Sequence, residues 1–380
     1  MGNVVPPKIL EADSEMAVCN KPSFEAGSSS ASNSSMIVEE ALPSDEVAWM
    51  QFVEQSGAAS FFHHWGWGNV VEKAYGYKTI RLIARRDGAV VGVCPLVDVK
   101  SPIFGRSLIS TAFTVGGGIG SSDPAAIEAL AEAAIAAGQA RNVQYVELRG
   151  REAKLAEWPT KDSTYAGFCK TLPQDEETRL KEIPRKRRAE VRKALKLYEE
   201  GRLTISFGRD VDVFHGIYAQ SLRGLGTPVF SKKFVSAVMA EFSDKAEIAI
   251  VEGDGKPIAA LLSFYFRDCV MPYYVGAIGA ARPLKAFDFL YWRIMEQAAS
   301  RGAPVFDFGR SKVGTPHFDY KKLWGFEPEP LAYQYALIKA DAVPDVNPNN
   351  PKFKLVSETW KKLPLPFANF AGPILARHLA

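Results

Sequence analysis

One run of secondary-structure signals occurs twice in this chain, and that repetition restricts the fold more than any single motif. Residues 80–86 read as a strand, meet Asp87-Gly88, and return as a second strand over 89–99; a helical stretch over 124–138 leads into a strand over 143–149 that carries Glu147. The second copy keeps the order: a strand over 248–252, the turn Asp254-Gly255, a returning strand over 257–267, a helix over 283–302, and Val305-Phe-Asp-Phe-Gly-Arg310 with Asp307. Asp-Gly between alternating apolar runs is a strong local hairpin signal. Asp87 to Asp254 is 167 positions and Glu147 to Asp307 is 160, so the copies run nearly in step. Two copies are too few for a solenoid, which needs about three or more stacked units. A twin-domain α/β protein is predicted, in keeping with 380 residues, more than one hydrophobic core usually serves.

The boundaries follow composition. Residues 1–35 include a serine-rich run with little to bury and read as a disordered tail. The first unit takes 36–171, with a helix over 43–56 capped by Ser44 and an aromatic-rich helix over 64–75 whose face Trp67, Val70, Val71, Ala74 and Tyr75 belongs to a core. The second takes 172–340, opening with one charged helix over 178–200 that Gly201 ends as a glycine cap, and then helical periodicity over 210–243 broken at Gly224-Leu-Gly226-Thr-Pro228. Residues 341–380 form a loop-rich C-terminal tail.

Charge and cysteine usage narrow the partners. Basic residues number 46 and acidic ones 43, so a nucleic-acid contact has to come from a local cluster, and DNA is not an expected partner. Cys19, Cys94, Cys169 and Cys269 make no metal-ligand spacing and are expected as reduced thiols; His63, His64, His215 and His317 likewise lack metal spacing. No apolar run has the length of a transmembrane segment and no signal peptide is visible, which places the chain in the cytoplasm. The apolar, proline-broken stretch Leu363-Pro-Leu-Pro-Phe-Ala-Asn-Phe-Ala-Gly-Pro-Ile-Leu reads first as a tail docked on its own domain, with peripheral contact to a membrane as the competing reading.

Three constellations carry chemistry. In the block from Phe306 to Phe326, Gly309 ends an apolar strand and lets a substrate approach the backbone, while Arg310, Lys312, Lys321 and Lys322 surround the opening with cations suited to an anion or a developing oxyanion. The structural alternative is an Asp307–Arg310 ion pair bracing the strand, with Trp324 and Phe326 in the core. In Ile183-Pro-Arg-Lys-Arg-Arg-Ala-Glu-Val-Arg-Lys, helical spacing puts Arg185, Arg188 and Arg192 on one face and Arg187, Val191 and Leu195 on another. That basic face, with Lys186, is either a phosphate clamp or a solvated charged surface. In the third, Tyr273 or Tyr274 lines a cleft with Asp288, or all three are core. A nucleophile-elbow serine and a Walker lysine are both missing.

Gly92-Val-Cys-Pro-Leu-Val with Ser101-Pro-Ile-Phe-Gly-Arg-Ser-Leu, the Pro-Arg-Lys-Arg-Arg-Ala-Glu-Val-Arg-Lys helix, and the Phe-Asp-Phe-Gly-Arg-Ser block with Tyr-Lys-Lys-Leu-Trp-Gly together resemble the FemAB-like family, in its branch associated with exosortase, PEP-CTERM and exopolysaccharide systems. The resemblance covers about residues 36–339. It implies an α/β (α+β) fold of two tandem GNAT-like acyltransferase domains, each a mixed, mostly antiparallel sheet flanked by helices, in which a splayed strand pair holds the acyl donor. It implies transfer of an acyl or aminoacyl group to an amine acceptor, an envelope or exopolysaccharide precursor, with aminoacyl-tRNA or acyl-CoA as co-substrate and no bound cofactor. Lys321 matches the lysine associated with catalysis, with Arg310 orienting substrate and Asp307 orienting Arg310; Arg188 or Arg192 matches the phosphate-binding residue, with Arg185 and Lys186 as lesser matches. Pro316-His317 departs from the small residues of that pattern, and Gly224-Leu-Gly226 has Ser221 where a pyrophosphate loop has a basic or amide residue, which argues against acetyl-CoA. The alternative is a degenerate, non-catalytic module that binds tRNA or a phosphorylated carrier through its basic helix.

Overall fold

The computed structural model describes residues 35–102, 104–344 and 351–378, so the expected tail over 1–35 lies outside the described residues except for Ser35. In the first half come β1 (Met36–Glu40), α1 (Glu46–Gln55), α2 (Trp65–Tyr75), β2 (Lys78–Arg86), β3 (Ala89–Ser101), β4 (Gly105–Ser110), α3 (Pro124–Ala140) and β5 (Tyr145–Gly150). The short β6 (Thr160–Lys161), β7 (Tyr165–Thr171), α4 (Glu176–Glu182) and α5 (Arg185–Glu199) follow. The second half repeats the opening order: β8 (Leu203–Gly208), α6 (Val211–Leu225), α7 (Lys232–Glu241), β9 (Ala246–Gly253), β10 (Lys256–Phe266), β11 (Cys269–Ala277), α8 (Ala286–Ser300) and β12 (Val305–Asp307). The chain ends with β13 (Ser311–Lys312), α9 (Pro316–Lys322), β14 (Pro328–Pro330), β15 (Ala332–Leu337), α10 (Pro351–Lys362) and α11 (Leu365–Ala376).

Both hairpin turns form as the sequence dictates. Asp87 and Gly88 have φ of 50° and 82°, and Asp254 and Gly255 have 49° and 76°, the left-handed pair that a two-residue turn needs to match strand twist. Each half then builds the same sheet, β1-β2-β3-β4-β5 and β8-β9-β10-β11-β12, antiparallel until the last pair. The last pair is parallel because a helix, α3 or α8, crosses between its strands.

Beyond that point each sheet borrows a strand. β15 lies antiparallel to β5 in the first sheet, and β7 lies antiparallel to β12 in the second. The two halves also share one apolar core, in which Phe61 stacks on Phe264 at 4.6 Å and Trp67 on Phe242 at 6.1 Å. Burial of that many aromatic faces fixes the halves against each other far more firmly than a polar inter-domain contact would.

Three local expectations are corrected. The charged helix expected over 178–200 is two helices, because Pro184 has no amide to donate and pushes Ile183 into an extended conformation, ending α4 before α5 begins. Ser44 does not cap the first helix; it sits inside a 3₁₀ turn, and the Asp45 carboxylate accepts from the Leu42 amide at 2.8 Å. Cys169 is disulfide-bonded, so the expected reduced state does not hold there, while Cys94 and Cys269 are free. Gly201 caps α5 with φ 73° as expected. Helices α10 and α11 pack on α6, and the Arg377 guanidinium reaches the Tyr75 carbonyl at 3.0 Å, so the C-terminal tail is docked.

Candidate functional site

The parallel pairs are where both sheets open. β4 and β5 are paired only at Leu108–Val146 and Ile109–Glu147, and β11 and β12 only at Cys269–Val305 and Val270–Phe306; beyond, the strands diverge. A shift in register at Leu262/Ser263, where Leu262 faces Tyr274 and Ser263 faces Pro272, leaves Tyr273 as the extra residue of a bulge on β11. Strands that part leave backbone groups and side chains free to meet a ligand, the usual place for a site in an open α/β sheet.

In the first half the mouth of that wedge is filled from within. The Arg149 guanidinium donates to Glu147 at 2.7 Å and to the Thr114 carbonyl at 3.0 Å, and its amide donates to Ser110 Oγ at 2.8 Å. Burial works against the Arg149 charge, and Glu147 outweighs it, leaving the arginine above its ordinary value. In the second half the strand end is arranged differently. Asp307 accepts from Arg151 at 2.5 Å, and not from Arg310; the expected Asp307–Arg310 pair is replaced because Arg310 turns to the Tyr333 hydroxyl at 2.8 Å and lies 4.2 Å from the Tyr165 ring. Both tyrosines sit near the borrowed strands, which sequence reasoning had no means to place there. Gly309, with φ 69°, donates its amide to Asp307 at 2.8 Å and makes the bend.

Lys321 faces inward. Its ammonium donates to the carbonyls of Gly309 at 2.9 Å and Arg310 at 3.0 Å and lies over the rings of Phe168 and Phe308. Burial pulls its pKa down to about 7, with Asp307 pulling the other way. It lines none of the three large cavities, and its two hydrogen bonds tie it to the strand end at Gly309 and Arg310.

Those cavities adjoin one another where the two sheets meet. A cavity of about 430 Å³ along one face of the β11–β12 pair is lined by Asp307, Gly309, Arg310, Arg151, Cys269 and Phe62, among others. A larger one of about 650 Å³ shares Arg310 and adds Glu147, Arg149, Lys161, Lys312 and four tyrosines, Tyr145, Tyr165, Tyr333 and Tyr335. The third, about 370 Å³, shares Arg151 with the first and contains the run Gly116-Gly117-Gly118 beside His63, whose pKa burial lowers to about 4. The volumes suit small-molecule ligands. The 650 Å³ cavity has four cations against one carboxylate in its lining, and Arg310 has no carboxylate partner among the described residues, so this chamber favours an anionic guest.

The remaining expected residues divide between surface and core. On α5, Val191 is buried and Arg187 turns inward to Asp288 at 2.5 Å, whereas Arg185, Lys186 and Arg192 are exposed and Arg188 donates to the Lys181 carbonyl at 3.2 Å. That agrees with the two faces read from the spacing. Asp288 is buried in the first turn of α8, its pKa raised by burial against the pull of Arg187, and it serves the docking of α5 on α8. The Tyr274 hydroxyl donates to the Phe113 carbonyl at 3.2 Å, and burial raises both Tyr273 and Tyr274; neither lines the three cavities. Lys322 is exposed, its ammonium 5.8 Å from the Phe318 ring. The structure thus brings together Asp307, Gly309 and Arg310, with Tyr273 buried within electrostatic reach of Arg310 and Asp307 and its ring 5.1 Å from that of Phe62, and leaves the basic helix and Asp288 elsewhere. Among the described residues no cluster with metal-ligand composition occurs.

Arg149, Arg151, Tyr165 and Tyr333 were missed as site residues. A signal for the arginines was present: aligning the copies at Glu147 and Asp307 puts Arg149 and Arg151 beside the positions of Gly309 and Ser311, on either side of Arg310.

Residues 185–322 match the acetyltransferase (GNAT) domain family. Among solved structures, the chain is similar to FemX, at 14% identity over 84% of this chain and 100% of that one, with a TM-score of 0.63. It is also similar to L-PGS from Bacillus licheniformis, at 14% identity over 86% of this chain and 99% of that one, with a TM-score of 0.51. A tandem GNAT protein from the clavulanic acid biosynthesis pathway follows at 12% identity over 82% and 100%, with a TM-score of 0.48. No curated protein matches the chain in sequence. The fold is a tandem GNAT-like one, two mixed sheets flanked by helices, with the family match lying in the second half.

Proposed function

We propose that this chain is an acyltransferase that moves an acyl or aminoacyl group to an amine acceptor at the second-half wedge. The observation that carries the reading is the divergence of β11 from β12 after two residue pairs, together with a 430 Å³ cavity along one face of that strand pair, lined by Asp307, Gly309 and Arg310. The donor, an aminoacyl-tRNA end or an acyl thioester, places its carbonyl against backbone N–H groups that the divergence leaves free. The acceptor approaches through the 650 Å³ chamber, where Arg310 and Lys312 hold its anionic part and the tyrosines flank it. Attack by the amine forms a C–N bond as the C–O or C–S bond to the donor breaks, and the amine proton leaves to solvent or a lining carboxylate. Arg310 contacts substrate; Lys321 and Asp307 are positioning residues, the first through the Gly309 and Arg310 carbonyls and the second through Arg151 and the Gly309 amide. In this reading residues 36–171 and 172–340 are the two units, each lending a strand to the other, and the acceptor is an envelope or exopolysaccharide precursor, met in the cytoplasm, in an exosortase or PEP-CTERM setting.

The test is to incubate pure protein with charged tRNA and, separately, with acyl thioesters, adding amine acceptors, and to follow donor loss and product mass by mass spectrometry. Consumption of neither donor class defeats the proposal. A second reading rests on the exposed Arg185, Lys186 and Arg192: a non-catalytic clamp for tRNA or a phosphorylated carrier. It expects tight, steeply salt-dependent RNA binding that survives loss of Arg310.

A further inference from the structure

Helix α11 faces its own protein with its small residues and solvent with its large ones. The buried ridge is Ala368, Gly372 and Ala376, spaced by four so that they share a face. Gly372 lies so close to the body that a Cβ there would stand 3.1 Å from Val229 Cγ1 and from its backbone nitrogen. Outward, Phe367 is 54% exposed, Phe370 73% and Ile374 52%, and the spacing of three and four makes them one stripe. Leu225, also exposed, adjoins Gly226, which abuts Ser357 of α10. About half of Phe367 and Ile374 and most of Phe370 stay uncovered after docking on α6, and a contiguous apolar stripe of this kind on a surface helix marks an interaction site.

The charge around the stripe selects the partner. Among residues 357–378, Lys361, Lys362 and Arg377 stand against the single acid Glu358, and Arg377 turns inward to the Tyr75 carbonyl. Lys361 pairs with Glu358 at 2.7 Å; Lys362 is exposed with no ion-pair partner among the described residues. Lys232 and Lys233 open α7 just beyond Val229, and only Lys232 has a carboxylate, Asp212, among the described residues. We propose that the α10–α11 corner rests on an anionic lipid surface, with Phe367, Phe370 and Ile374 entering the acyl boundary and the lysines meeting headgroups. At twelve residues α11 is about 18 Å long, well short of the ~30 Å hydrocarbon core, and among the described residues no helix is long and apolar enough to cross a membrane, so α11 lies in the interface plane. A second copy of the chain fits this face poorly: three side chains supply far less than the ~800 Å² per partner of a stable dimer, and a two-fold contact would set the basic fringe against itself.

The proposal is independent of the acyltransferase reading and is tested on the full chain. Sedimentation with phosphatidylcholine vesicles is compared with vesicles that also contain phosphatidylglycerol, for wild type, a Phe367→Ser/Phe370→Ser double variant and Lys362→Glu, with thermal melting to confirm folding. Wild type should sediment with the anionic vesicles and lose binding as salt rises; the double variant should bind about tenfold or more weakly, and Lys362→Glu about fivefold, with melting unchanged. Wild type that stays in the supernatant, or a folded double variant that sediments like wild type, overturns the proposal. So does a concentration-dependent dimer abolished by the same two substitutions.

Discussion

Lys321→Met is the substitution that most sharply separates a lysine fixing the strand end from one facing an open cleft. In the fold the Lys321 ammonium serves the carbonyls of Gly309 and Arg310, and burial brings its pKa from 10.5 to about 7. Between those values the unfolded chain holds a proton that the folded chain refuses, so stability rises as pH climbs through that range and falls as pH drops through it. Moving from about pH 7 to about pH 9 crosses two units at about 1.4 kcal/mol each, less the partial titration at the lower end, so lysine alone should add about 2 kcal/mol. Methionine fills a similar volume without a proton to lose and leaves two carbonyls without that donor, a loss of about 1–3 kcal/mol apiece. Urea denaturation of both proteins at the two pH values gives the answer by difference, since every other titrating group cancels. The gap in stability should widen by about 2 kcal/mol toward alkaline pH. A gap that stays constant would mean that the ammonium titrates as it does in water, and the inward-facing role would be wrong.

Other outcomes follow from the same geometry. Arg310→Lys keeps the charge but loses the planar contact with Tyr165, so acceptor KM should rise roughly tenfold or more in steady-state assays with kcat changed less. Asp307→Asn weakens the hold on Arg151 and should lower kcat/KM by roughly tenfold, whereas Glu329→Gln, a looser partner of Arg151 at 3.5 Å, should change it less than about twofold. His63, held neutral to about pH 4, makes the fold lose stability as pH falls from about 6.5 toward 4; His63→Asn should flatten that part of a pH–stability curve measured by urea unfolding.

What could be read from the sequence was what short-range chemistry dictates. Asp87-Gly88 and Asp254-Gly255 form the expected turns because the left-handed backbone is a property of those residues in that setting. The faces of α5 follow because spacing alone puts Val191 inward and Arg185 outward. Pro184 shows the same local control overlooked, its effect hidden by the unbroken run of charge on either side. The partners of Asp307 and Arg310 were beyond reach for a different reason. Arg151 lies 156 positions before Asp307, and Tyr333 meets Arg310 only because β15 crosses into the first sheet; period-two alternation tells which face a strand shows, never which neighbour it takes.

The crossing of β7 and β15 also governs how this chain can be taken apart. A protease cut between Thr171 and Glu176 would sever the covalent link yet release nothing, since each fragment would still be threaded into the other's sheet by a complete strand. For the same reason neither copy can be cloned as a free-standing unit without losing an inner strand of its sheet. The two halves therefore stay one object for any method that cuts the chain, and only unfolding of both sheets would part them.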